Sequence, residues 1–256
     1  MKVIVTRPAA QATEWVRRLR LLGLEATALP LIGIEPADDL DAVRAAWGRL
    51  GEQRLLVFVS PNAAEHFFAA RPAGAAWPSH TLAASTGPGT SQALLRLGVP
   101  PERLIEPAAD APQFESEALW TQLATHDWHG ARVLVVRGDG GRDWLAETLR
   151  SRGALLAHLT AYRRVTPSFD AAGQALLNAA LVDPGEHLWH FSSSEAIAHL
   201  VAAMPDVDWR KARAIATHPR IAARARDAGF GEVALVRPEL EAVAACIQSL
   251  RPRIEP

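Results

Sequence analysis

Short apolar runs occur at 3–6, 55–59, 82–85, 133–136, 155–159, 188–192, 213–217 and 233–236. Runs of this length without polar alternation predict strands buried on both faces, as in a parallel sheet. Between them, apolar residues recur at helical spacing over 10–22, 40–50, 62–70, 90–97, 115–125, 142–152, 170–181, 194–203, 220–228 and 239–250. Gly23, Gly98, Gly153 and Gly229 stand where helices need a C-terminal glycine. Alternating strands and helices predict an α/β fold, with parallel sheets covered by helices.

The pattern is also repeated. Val3-Ile4-Val5-Thr6-Arg7-Pro8 matches Val133-Leu134-Val135-Val136-Arg137-Gly138 at an offset of 130, and each is followed by a helix ending in Arg-x-x-Gly. Phe58-Val59-Ser60 matches Phe191-Ser192-Ser193, and Gly87-Pro88-Gly89 matches His218-Pro219-Arg220. The order and the near-constant offset predict two versions of one unit of about 130 residues, a common domain size. Linkers are expected at 35–39 and 163–168. If the chain crosses between lobes there, residues 37–166 form an inserted lobe and 1–36 plus 167–256 the other. A cut near residue 129 is the competing division.

Composition narrows the function classes. Basic and acidic residues number 27 and 28, for a net charge of -1, which argues against a nucleic-acid or anionic-membrane coat. Of the basic residues only Lys2 and Lys211 are lysines; the other 25 are arginines, whose planar forks suit carboxylates and phosphates. The single cysteine, Cys246, excludes a disulfide framework and a cysteine-based metal or iron–sulfur site. The N-terminal apolar run is stopped by Arg7-Pro8, so it reads as a strand and not a leader. No apolar stretch approaches the roughly 18 residues of a membrane span. A soluble cytoplasmic protein is expected.

In open α/β sheets ligands bind beyond the carboxyl ends of the strands, against helix N-termini. The loops there contain Thr6-Arg7-Pro8, Ser60-Pro61-Asn62, Gly87-Pro88-Gly89-Thr90, Arg137-Gly138-Asp139-Gly140-Gly141-Arg142, Ser192-Ser193-Ser194 and Thr217-His218-Pro219-Arg220. Backbone N–H groups, hydroxyls and guanidinium forks together are anion-recognition chemistry. Ordinary N-capping uses the same residue types and stands as the plain alternative. No complete Rossmann fingerprint, P-loop or nucleophile elbow is present. His187 and His190, three apart on one strand, face opposite ways and read as exposed or as satisfied core contacts. Tyr162, the only tyrosine, ends a strand before Arg163-Arg164, where the other copy has Ile32. Its phenol could protonate a leaving group at a cleft mouth, or sit at an interface with its hydroxyl in water.

With these residues the chain resembles the uroporphyrinogen-III synthase family along essentially its whole length. The resemblance rests on Val5-Thr6-Arg7-Pro8, Phe58-Val59-Ser60-Pro61-Asn62-Ala63-Ala64 and Gly87-Pro88-Gly89-Thr90. It continues through Phe114-Glu115-Ser116-Glu117-Ala118-Leu119, Arg132 to Gly138 with Gly141-Arg142, and Tyr162-Arg163-Arg164. Phe191-Ser192-Ser193-Ser194 and Ala214 to Ala222 complete it. It implies two flavodoxin-like parallel-sheet lobes joined by a two-strand linker, which favours the insertion of 37–166, with a substrate cleft between the lobes.

It also implies the reaction: linear hydroxymethylbilane is cyclised to uroporphyrinogen III, with loss of water and inversion of the last pyrrole ring, with no metal or organic cofactor. The implied partner is a small polycarboxylate tetrapyrrole, which hydroxymethylbilane synthase could hand over, and the implied state is a monomer. Motif matching points to Ser60, Thr90, Ser193, Arg213 and Thr217 as substrate contacts, and to Tyr162 as the residue assisting hydroxyl loss. Arg7, Arg137 and Arg142 join the substrate-binding candidates from their place at strand ends. His218-Pro219-Arg220-Ile221 departs from the family's Gly-Pro-Thr-Thr, so threonine contacts there do not carry over. A non-catalytic two-lobed ligand-binding or sensory protein is the alternative function.

Overall fold

A computed structural model describes residues 1–111 and 115–250. Phe114 of the resemblance motif lies outside the described residues. In chain order the elements are β1 (Lys2–Val5), α1 (Ala9–Leu21), β2 (Ala26–Ala28), β3 (Gly33–Pro36), α2 (Leu40–Gly48), β4 (Leu55–Phe58), α3 (Pro61–Ala69), β5 (Leu82–Ser85), α4 (Pro88–Arg96) and β6 (Leu104–Ile105). They continue with α5 (Ser116–Leu123), β7 (Arg132–Gly138), α6 (Trp144–Ser151), β8 (Leu155–Val165), α7 (Ala171–Val182), β9 (His187–Phe191), α8 (Ser194–Ala203), β10 (Arg213–Ala216), α9 (Pro219–Asp227), β11 (Glu232–Leu235) and α10 (Leu240–Ser249). No helix among the described residues is long and apolar enough to cross a membrane.

The local chemistry accounts for the element ends. Asp39, Ser60, Asp170 and Ser193 accept backbone N–H bonds from the first turns of α2, α3, α7 and α8. Proline opens α3, α4 and α9, where its missing N–H costs nothing. Gly23, Gly98, Gly153 and Gly229 follow α1, α4, α6 and α9 with φ of 73°, 98°, 85° and 93°, the left-handed turn expected of them. Two pairs of equivalent helices thus end by the same device in both copies of the repeat.

The chain divides into two compact units: Met1–Gly33 with Val165–Pro256, and Ile34–Arg164. The sheet of the first runs β2-β1-β9-β10-β11, and that of the second β8-β7-β4-β5-β6 with β3 beside β8. The core strand pairs are parallel in both. The first unit has the flavodoxin-like order 2-1-3-4-5. The second has the same spatial order under the repeat, because β7 and β8 correspond to β1 and β2, and β4, β5 and β6 to β9, β10 and β11. Each unit therefore takes its first two strands from one copy of the sequence repeat and its last three from the other. A cut near 129 separates the copies of the repeat, but it falls between α5 and β7, inside one folded unit.

Both faces of each sheet are covered. In the first unit Val3, Val5, Leu188 and Ile215 pack against Ala12, Val16 and Leu19 of α1 and Leu240, Val243 and Ile247 of α10. On the matching face of the second, Leu55, Val57, Val133 and Val135 pack against Leu119 and Leu123 of α5 and Leu145 and Leu149 of α6. Its other face is aromatic, with Phe58, Phe67, Phe68, Trp47, Trp77 and Tyr162 in one cluster.

The structure departs from the sequence reading at the edges. β2, β3 and β6 carry no long apolar run, since edge strands are short and tolerate polar residues and proline. Glu35-Pro36 and Arg163-Arg164-Val165, which the resemblance assigns to a two-strand linker, lie within β3 and β8. His187 and His190 are both buried, at 8% and 0% exposure, so neither is a surface histidine.

Candidate functional site

In a 2-1-3-4-5 sheet the loops following the first and third strands diverge to opposite faces, leaving a crevice at the carboxyl edge. In the second unit this switch point lies between β7 and β4. Its centre is Tyr162, whose ring is fully buried. The phenol oxygen lies 3.1 Å from Ser60 Oγ and receives an N–H of Arg164 Nη2 at 3.2 Å. Ser60 Oγ in turn accepts the N–H of Ala63, capping α3. The backbone N–H of Arg164 donates to Asp139 Oδ1 at 3.2 Å, tying the end of β8 to the loop after β7.

The close approach of Tyr162 to β7 requires glycine at 138. A Cβ there would stand 2.8 Å from Tyr162 Cζ, closer than packed carbons tolerate. The β7–β8 register slips at the same place, pairing Arg137 with Thr160 but Gly138 with Tyr162. The bulge swings the tyrosine toward Ser60. His66 of α3 lies over the ring at 5.9 Å, and partial burial pushes its pKa down against the opposing effect of Glu65. The sequence reading set the Tyr162 hydroxyl at a cleft mouth or in water. Instead the bulge and α3 enclose it, and its hydroxyl is spent on Ser60 and Arg164.

The arginines of this edge are paired. Arg137 Nη1 donates to Asp143, whose pKa is held down by that hydrogen bond and by the guanidinium charge. Arg142 meets Glu117 at 2.7 Å and Glu115 at 3.4 Å. Thr90 is buried in the first turn of α4, its N–H on the Gly87 carbonyl at 3.0 Å. A surface groove of about 430 Å³ lined by Arg49, Gln53, Arg132 and Arg150 lies at the amino ends of β7 and β8, the other end of this sheet.

The first unit's switch point lies between β1 and β9. Thr6 Oγ1 donates to the His190 carbonyl at 2.7 Å, closing β1 onto β9. Ser193 caps α8 through the Glu195 N–H, and the Thr217 N–H donates to the Phe191 carbonyl. His218 caps α9, its Nδ1 accepting the Arg220 N–H at 3.1 Å. That gives the departure from the family motif a local role. Arg213 does not join this edge. It opens β10 at the amino end, bound to Glu232 at 2.7 Å and to the Leu250 carbonyl. A residue at the start of a four-residue strand lies roughly 10 Å from its carboxyl end.

Arg7 is different. It is half-buried, with Nε sequestered and without a hydrogen-bond partner. Its guanidinium lies over the Trp15 ring, 4.2 Å from the centroid. The His190 ring stacks on the same indole at 4.9 Å and 19°. Neither nitrogen of His190 is hydrogen-bonded. Burial, assisted by the Arg7 charge, pushes the imidazole down to about 3, and burial pushes Arg7 to about 10. At neutral pH the imidazole is therefore neutral and the guanidinium charged. Sequence reasoning singled out Arg7 but missed Trp15 and His190 as its neighbours. Aligning the repeat at these positions would have flagged them, because the other copy has Leu145 and Val57.

Among the described residues no group of three or more His, Cys, Asp or Glu side chains is placed to hold a metal ion. The chemistry on offer is hydroxyl, backbone N–H and guanidinium.

Known proteins resemble this chain in sequence and in fold. A family model described as uroporphyrinogen-III synthase HemD matches residues 13–245. The uroporphyrinogen-III synthase of Escherichia coli is 30% identical over 177 residues, covering 69% of this chain and 70% of that protein. That of Salmonella typhimurium is 27% identical over 248 residues, covering 91% and 94%. Among solved structures, a mutant uroporphyrinogen III synthase from Thermus thermophilus shares the fold at a TM-score of 0.59 and 17% identity, over 97% of this chain and 96% of that one. The Helicobacter pylori protein does so at 0.58 and 15%, over 98% and 99%.

Proposed function

The chain belongs to the uroporphyrinogen-III synthase family, and from that premise we propose how its two switch points serve the reaction. The protein is an enzyme of tetrapyrrole biosynthesis, a lyase that cyclises hydroxymethylbilane. The match over residues 13–245, on a chain whose two sheets have the same strand order, carries this reading and favours it over a non-catalytic ligand-binding protein.

The substrate is flexible and carries eight carboxylates. Loss of its hydroxyl leaves an electrophilic azafulvene, and closure without ring inversion competes. The enzyme's task is to hold the chain so that the last ring attacks through its substituted carbon. Backbone N–H groups at the starts of α1, α3, α4, α8 and α9, with Ser60, Thr90, Ser193 and Thr217, supply carboxylate donors without a basic excess. Arg7 supplies a charged one. Arg137 and Arg142 would have to exchange Asp143 and Glu117 for substrate.

Tyr162 is the phenol for hydroxyl departure. Its burial favours action through Ser60 and Arg164, whose positions depend on its hydroxyl. We further propose that the enzyme works in the cytoplasm as a monomer and takes hydroxymethylbilane from hydroxymethylbilane synthase.

The test is direct. Purified protein given freshly made hydroxymethylbilane should yield the type III isomer, against mostly type I without protein. Type I in both reactions would refute the reading.

A further inference from the structure

The two copies of the repeat place an arginine at the same point, Arg7 after β1 and Arg137 in β7, and surround it differently. In the second unit Asp143 takes the guanidinium, Leu145 packs in the core behind it, and Val57 lies on the adjacent strand. In the first unit the corresponding residues are Thr13, Trp15 and His190. Registers confirm the last equivalence, since Val5 pairs with His190 and Val135 with Val57. The fold therefore accepts an aliphatic residue where His190 stands, and a carboxylate where Thr13 stands.

The exchange changes what the arginine can do. A carboxylate partner uses up guanidinium N–H donors. An aromatic face holds a guanidinium by its flat side and leaves its in-plane donors unspent. Arg7 rests 4.2 Å from the Trp15 centroid and has no ion pair among the described residues. With Nε sequestered, its two Nη groups form the fork available to a ligand. His190 fixes the indole plane by stacking, and as a neutral ring it adds no repulsion. Both ring nitrogens stay unbonded in the interior, a cost that ordinary packing would remove.

We propose that Trp15 and His190 are positioning residues that present Arg7 as a carboxylate seat, by which the first unit anchors one acidic side chain of the substrate. This rests on the reading of the substrate as a polycarboxylate tetrapyrrole. The second unit has no equivalent seat, because Asp143 holds its arginine.

The test compares R7Q, H190V and the double variant with wild type, by steady-state kinetics on hydroxymethylbilane and by fluorescence titration with uroporphyrin, an octacarboxylate. Loss of one charge-assisted fork should raise KM and the uroporphyrin Kd of R7Q about 10- to 100-fold, with kcat little changed. H190V should weaken binding about fivefold, a fraction of the R7Q loss. It should nonetheless unfold at the same or a higher temperature, because an unsatisfied buried polar group has been replaced by the residue the other copy carries. The double variant should bind no worse than R7Q, since His190 acts through Arg7.

Wild-type affinity in R7Q overturns the seat. Losses that multiply in the double variant, or an H190V protein that is less stable with unchanged affinity, overturn the positioning role. A wild type that makes only type I isomer refutes the functional reading separately, and the titration still decides whether Arg7 seats a carboxylate.

Discussion

Arg7 and Arg137 stand at the carboxyl ends of equivalent strands of one duplicated unit, 130 residues apart. Arg137 is neutralised by Asp143, and close by Tyr162, Ser60 and Arg164 hydrogen-bond to one another. Arg7 lies on an indole, backed by a histidine whose ring nitrogens bond to nothing. One edge satisfies its polar groups internally; the other leaves a cation uncommitted. Hydrogen-bonded groups contribute stability, whereas an unpaired cation above a buried imidazole gives up stability for binding. Duplication allowed the two roles to separate without changing the strand order.

The largest effect that tests this contrast lies on the acid side. His190 is held at about 3 in the folded protein against an ordinary 6.5. Below pH 6.5 the unfolded chain takes up a proton that the folded protein refuses. The stability associated with the neutral ring is complete above pH 6.5 and is lost as pH falls from 6.5 toward 3. The loss reaches about 1.4 kcal/mol per pH unit and on the order of 5 kcal/mol in all. Urea unfolding from pH 7 to pH 4 should show this slope in wild type and a shallower one in H190V. Equal slopes would mean that His190 is not kept neutral by burial.

Next comes the satisfied edge. Gly138→Ala sets a Cβ against the Tyr162 ring, and overpacking of this kind costs about 1–3 kcal/mol. The corresponding position in the first unit is Pro8, with no phenol behind it, so Pro8→Ala should cost far less. Denaturation midpoints check both, and equal losses would break the contrast.

Tyr162→Phe removes the hydroxyl between Ser60 and Arg164. About 1 kcal/mol of stability should go with the lost hydrogen bonds, and turnover should fall about tenfold if those partners act on the substrate. Unchanged kcat would leave the phenol a purely structural role. The smallest effect belongs to Asp143→Asn, an exposed pair. It should leave the urea midpoint and KM unchanged. A drop in KM would show that Arg137 is a second seat waiting to be released.

Legibility followed the range of the physics involved. Gly23, Gly98, Gly153 and Gly229 could be read as caps because a left-handed turn after a helix is a local demand on one residue. The apolar strands β1, β4, β5, β7, β9 and β10 were legible because burial on both faces leaves an unbroken run. Ala26-Thr27-Ala28 and Leu104-Ile105 were not, because two or three residues carry no period. Arg213 was a candidate through motif matching alone; its ion pair with Glu232 at the amino end of β10 follows from the pairing of β10 with β11, which the motif does not record.

The sequence by itself determined the elements, the duplication and the loops at which an anion could bind, since periodicity, capping and turn chemistry act over a few residues. It marked the family through the ordered set of those loops. Only the tertiary structure decided that Tyr162 is enclosed, and that Arg137 has a carboxylate where Arg7 has an indole and an imidazole. Those outcomes depend on residues far apart in the chain, such as Arg7 and His190 or Ser60 and Tyr162, which meet only when parallel strands pair across crossovers, and no local pattern records that pairing.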